Sequence, residues 1–130
     1  MPQRRRGTNT IIGLCLLCLS VACRHQPATD VTIAHEISPQ PPRVGHALIT
    51  LRLTSASRKP VIGARVRLEG NMSHAGMSPA FADTLEVVPG EYRADMELSM
   101  AGDWTILVHL TLPDGVKLER QFEIKGVAPA

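Results

Sequence analysis

GEYRADMELSMAGDWTILVHLTLPDG, residues 90–115, contains two runs in which apolar and polar side chains alternate. In the first, Tyr92, Ala94, Met96 and Leu98 share one face, and Arg93, Asp95 and Glu97 share the other. In the second, Trp104, Ile106, Val108, Leu110 and Leu112 form the apolar face. A period of two marks a half-buried strand, because successive side chains of an extended chain point to opposite sides. The PDG at 113–115 is a turn signal that ends the second run.

The same alternation extends in both directions. DVTIAHEI, about residues 30–37, reads as a first strand. HALITLRLT places Ala47, Ile49, Leu51 and Leu53 on one face. SASRKPVIG, with Pro60 and Gly63, is a turn region, and ARVRLEG then puts Ala64, Val66 and Leu68 inward. AFADTLEVV is expected as a single strand with Phe81, Leu85 and Val87 inward. VKLERQFEI closes the series with Val116, Leu118, Phe122 and Ile124. No segment sustains a helical period. About seven short strands punctuated by Gly and Pro predict an all-β domain, an immunoglobulin-like antiparallel β-sandwich, with a small open barrel as the alternative. Trp104, the only tryptophan, is the expected core anchor.

The N-terminus reads differently. Arg4, Arg5 and Arg6 precede an uncharged apolar run from Ile11 to Ala22. That run is well short of the ~20 residues needed to span a bilayer, so residues 1–22 read as a signal peptide. LSVAC, ending at Cys23, resembles the lipobox of bacterial lipoproteins, although Ser20 stands where that motif favours Leu. Ser20-Val21-Ala22 also suits ordinary signal peptidase. Both routes cut after Ala22 and differ in whether Cys23 carries lipid. Lipidation is the expectation, since an unpaired exposed thiol is a liability in an oxidising compartment. Acyl chains would anchor the protein to a membrane. By resemblance, Arg24 after the cysteine implies the outer membrane of a Gram-negative envelope, on the periplasmic side. Residues 23–30 then form a lipidated cysteine and tether, and residues 31–127 the folded domain.

Processing changes the chemistry available. Cys15 and Cys18 are expected to leave with the signal and Cys23 would be acylated, so that the folded part would have no disulfide or thiolate ligand. The whole chain has 14 basic and 12 acidic residues, and loss of Arg4, Arg5 and Arg6 leaves 11 against 12. No Lys/Arg cluster or aromatic platform remains to favour nucleic acid. Enzyme chemistry is not expected: no nucleophile elbow, His-Glu-x-x-His pattern or Ser/His/Asp order is present. Asp83, Asp95 and Asp103 are scattered acids at strand or turn positions.

EGNMSHAGMSP, residues 69–79, stands out because it sets Met72, His74 and Met77 in a turn-rich loop. Thioether and imidazole are the soft ligands that survive where thiols are oxidised, and they suit Cu(I). Gly70 and Gly76 would let the loop curl round an ion. Met100 is a candidate fourth ligand, and His46 a more remote addition. The competing reading is that Met72, Met77 and Met100 fill gaps at the end of the sandwich, with His74 merely exposed. Met96, in phase with Tyr92 and Ala94, is assigned to the core. His109, on the outward phase, His35 and His25 are expected to be solvated or edge residues.

Gly63-Ala64-Arg65-Val66, then Met72 and Met77, then Gly90-Glu91-Tyr92, then Met100-Ala101-Gly102-Asp103-Trp104 occur in that order. This series resembles the YtkA-like domain, related to the FixH-type accessory proteins, over roughly residues 60–112. The loop here, Met-Ser-His-Ala-Gly-Met, lacks the proline of that family's usual Met-Pro-x-Met. The resemblance implies an immunoglobulin-like, secreted or anchored domain associated with copper handling or respiratory-oxidase assembly. Two functions from different classes follow as expectations. One is copper binding or delivery through Met72, His74, Met77 and Met100. The other is a metal-free interaction module for an envelope protein such as a transporter or an oxidase-assembly factor.

Overall fold

The computed structural model describes residues 30–74 and 76–130. The expected signal peptide at residues 1–22, Cys23 and His25 lie outside the described residues.

Among the described residues eight strands follow one another: β1 (Val31–Ser38), β2 (Gly45–Ser55), β3 (Arg65–Met72), β4 (Ala80–Asp83), β5 (Leu85–Val88), β6 (Glu91–Leu98), β7 (Gly102–Thr111) and β8 (Lys117–Val127). They form two four-stranded sheets, ordered β1-β2-β6-β5 and β4-β3-β7-β8, and every strand pair is antiparallel. The first order is that of the A, B, E and D strands of an immunoglobulin domain, and the second is C, F and G with one strand added at the edge. The sheets stay separate, which settles the architecture as a sandwich and not a barrel.

The alternating runs supply the core. Ala47, Ile49, Leu51 and Leu53 of β2 meet Tyr92, Ala94, Met96 and Leu98 of β6, and all eight are buried. Val66 and Leu68 of β3 and Trp104, Ile106, Val108 and Leu110 of β7 face them from the second sheet. These four strands each pair on both sides and have one face covered, the condition that produces a clean inside-outside alternation. Along β8, an edge strand, Leu118 and Phe122 are only partly buried.

The expected single strand over AFADTLEVV is instead two, and its apolar phase is reversed. Phe81, Leu85 and Val87 are exposed (53%, 75% and 44%), whereas Ala82 is buried. Register explains the phase. Phe81 lies opposite Glu69, which points outward, and Ala82 lies opposite Leu68, which points into the core. At Thr84 the chain leaves the second sheet for the first, and the Thr84 hydroxyl and amide both donate to the Val66 carbonyl (2.9 and 3.2 Å). β4 runs close to β6 of the facing sheet at this crossing, and its buried inward position holds only an alanine. Outside, Arg67 covers the Phe81 ring, with its guanidinium carbon 4.7 Å from the ring centre.

At the end of the sandwich where β3 starts, Tyr92 ties the turn region to the core. Its hydroxyl donates to the Val61 carbonyl (2.8 Å) and accepts from the Ala64 amide (3.0 Å). Nearby, the Glu86 carboxylate accepts from the amides of Gly90 (3.0 Å) and Gly63 (3.1 Å). These bonds, that from Gly90 foremost, hold its pKa below the usual carboxylate value. The PDG turn forms as expected: the Gly115 amide donates to the Leu112 carbonyl (2.8 Å), and Asp114 accepts from the Val116 amide (3.1 Å).

A methionine-bearing end of the sandwich

β3 and β7 are antiparallel neighbours, so the end of β3 lies beside the start of β7, with Met72 in register opposite Trp104. The loop that follows β3 carries His74 and Met77, and the loop that precedes β7 carries Met100. The topology therefore brings Met72, His74, Met77 and Met100 to one end of the domain.

The four are held differently. Met72 is half-buried and packs against the core. Its terminal methyl lies 3.0 Å from where a Cβ on Gly102 would sit, so a side chain at 102 would displace it. Gly102 also has φ +124°, a conformation that glycine adopts without strain. The Met77 amide donates to the His74 carbonyl at 3.4 Å, with Gly76 at φ +83° between them. This bond closes a turn that leaves Met77 half-buried and His74 exposed. Met100 is 39% exposed, but its carbonyl accepts the indole N–H of buried Trp104 at 3.0 Å.

Residues 25–109 match the model of the YtkA-like family. The chain belongs to the YtkA-like family. The match runs from before β1 into β7 and takes in all four of these residues. No curated protein matches the chain.

The donor set of this YtkA-like domain fits a soft cation better than a hard one. Among the described residues, no three His, Cys, Asp or Glu side chains are grouped so as to hold a metal ion. His74 is the one described histidine whose side chain makes no hydrogen bond, ion pair or ring contact. An imidazole free of partners beside thioether-bearing residues suits Cu(I), whereas divalent hard ions require oxygen ligands.

The remaining described histidines are engaged elsewhere. His46 lies near the same end but on the outer face of the first sheet, its Nδ1 2.9 Å from Asp95. That hydrogen bond, more than the carboxylate's charge, raises the His46 pKa above its usual value. His35 stacks on Phe122 across the open side of the sandwich, with ring centres 4.1 Å apart. His109 faces outward, as its phase indicates, but is clasped between strands: Nε2 lies 2.8 Å from Glu69 on β3 and Nδ1 3.2 Å from Glu119 on β8. Its hydrogen bond, with one from Asn71, lowers the Glu69 pKa.

Met96 lies in the core, with its sulfur 3.0 Å from where a Cβ on Gly70 would sit. The acids have structural partners. Asp83 pairs with Arg67 (3.6 Å), Asp95 with His46, and Asp103 accepts the Gly126 amide (2.8 Å). Two features of this end were beyond reach of the sequence pattern. Alternation marks Trp104 as core but is silent on where its N–H goes. A lone Gly102 likewise gives no sign that it makes room for Met72.

Proposed function

We propose that the methionine-bearing end binds Cu(I) through Met72, His74, Met77 and Met100, and that the domain holds or delivers copper in a bacterial envelope. On this reading the chain is exported, anchored to the outer membrane through lipid on Cys23, and has no catalytic role. One observation carries the copper reading: strand pairing sets two loops side by side, and their donors include the one partnerless imidazole among the described histidines. Bound Cu(I) would be a closed-shell ion that accepts thioether and imidazole donors without requiring proton loss from sulfur. Met72, packed against Gly102, supplies a fixed ligand, and the turn at Gly76 presents His74 and Met77. The test is titration with Cu(I) under reducing conditions against a chromophoric chelator. The intact protein takes up about one equivalent, and replacing Met72 and Met77 together with leucine abolishes uptake while the fold persists. Unchanged affinity in the double variant overturns the reading.

A second reading has its own support. β5 is an edge strand on which Leu85, Val87 and Val88 are all exposed. Such an edge offers unpaired backbone groups and apolar side chains to an extended segment of an envelope partner protein. A photo-crosslinker at Val87 that captures the same partner with and without copper supports this reading. A crosslinker that captures none opposes it.

A further inference from the structure

We propose that Trp104 is a positioning residue for the methionine-bearing end, its indole N–H holding the β6–β7 loop so that Met100 is presented as a ligand beside Met72. The inference rests on the copper reading given above and adds to it the residue that presets the geometry.

Trp104 is 2% exposed, and a buried indole needs an acceptor for its N–H. The acceptor is the backbone carbonyl of Met100, four residues upstream, at 3.0 Å. Between them the chain bends through Gly102 at φ +124°, and the β7–β8 register shifts between Gly102 and Trp104. The loop carbonyl is thus fastened to a buried ring inside the sandwich. The same residue sits in register opposite Met72 on β3. One residue therefore ties two thioether-bearing backbones, that of Met72 through its own backbone by strand pairing and that of Met100 through its indole by a hydrogen bond.

Core packing alone does not account for this arrangement. The ring is already enclosed by apolar neighbours, with its Cε3 3.2 Å from the position of a Cβ on Gly70. A phenylalanine would retain much of that contact and lose only the donor and part of the ring. Groups that orient ligands without touching the metal typically contribute 10- to 100-fold in metal affinity, and Trp104 has that role here.

The test is a double-mutant cycle on Cu(I) affinity, measured by chelator competition with the intact protein, Trp104→Phe, Met100→Leu and the double variant. Trp104→Phe is expected to weaken binding by about tenfold. In the double variant the loss is no greater than with Met100→Leu alone, because the bond acts only through Met100. If Trp104→Phe binds as tightly as the unaltered protein, or if the two losses are independent, the proposal is overturned. Should Trp104→Phe fail to fold, the indole N–H resonance of the unaltered protein serves instead. It shifts on Cu(I) addition, and the shift disappears in Met100→Leu; a resonance that stays still while copper binds overturns the proposal. Failure of the copper reading looks different, since the unaltered protein then takes up no Cu(I) at all.

Discussion

The sulfur of Met96 lies 3.0 Å from the point where a side chain on Gly70 would begin. Gly70 sits in β3, buried against the facing sheet, and the Trp104 ring and Ile106 are nearly as close (3.2 and 3.3 Å). A methyl group there must move three well-packed side chains at once. Gly70→Ala gains some stability by restricting the unfolded chain, about 0.4–1 kcal/mol. Overpacking costs about 1–3 kcal/mol and wins, because the sandwich has no slack at Trp104. Thermal denaturation is expected to show a lower midpoint for Gly70→Ala, and an unchanged or higher midpoint would mean that Met96 moves aside freely.

The exposed run on β4 and β5 gives the opposite expectation. Leu85 and Val87 are apolar in kind but outward in fact, so Leu85→Lys and Val87→Lys alter stability by less than about 0.5 kcal/mol. Leu68→Ala, at a fully buried position in β3, costs about 2–5 kcal/mol. Denaturant titration of the three variants checks the contrast. A large loss from either lysine substitution would return β5 to the core.

That contrast also marks where the sequence was legible. β2, β6 and β7 are read directly from their alternation, because each pairs on both sides and buries one full face. AFADTLEVV obeys the same period, yet its larger residues face solvent. Alternation fixes which residues share a face but not which face is inside. Here the choice falls to β3 register and to the sheet crossing at Thr84, both long-range features. The candidate site divides in the same way. Met72, His74 and Met77 are visible in one short loop, and the antiparallel β3–β7 pairing that adds Met100 follows from the fold. The Trp104–Met100 bond and the Met72–Gly102 contact depend on ångström-scale packing that no spacing rule encodes.

Acid sensitivity should centre on Glu86. Its folded-state pKa is lowered from the ordinary 4.5, chiefly by the Gly90 amide and then by that of Gly63. A carboxyl that is more acidic when folded adds stability above its unfolded pKa, and that stability is lost as pH falls through the folded value. Glu69, lowered by His109, acts in the same direction. Stability measured between about pH 6 and pH 3 should therefore fall less steeply in Glu86→Gln than in the unaltered protein. Parallel curves would show that the two amide bonds hold no proton-linked stability.

X-ray absorption at the copper edge of the Cu(I)-loaded protein tests the central claim most directly. The account predicts sulfur scatterers around the metal, with a smaller nitrogen contribution that His74→Ala removes and a sulfur contribution that falls when Met77 alone becomes leucine. A copper shell made only of nitrogen and oxygen, unchanged by those substitutions, would contradict it.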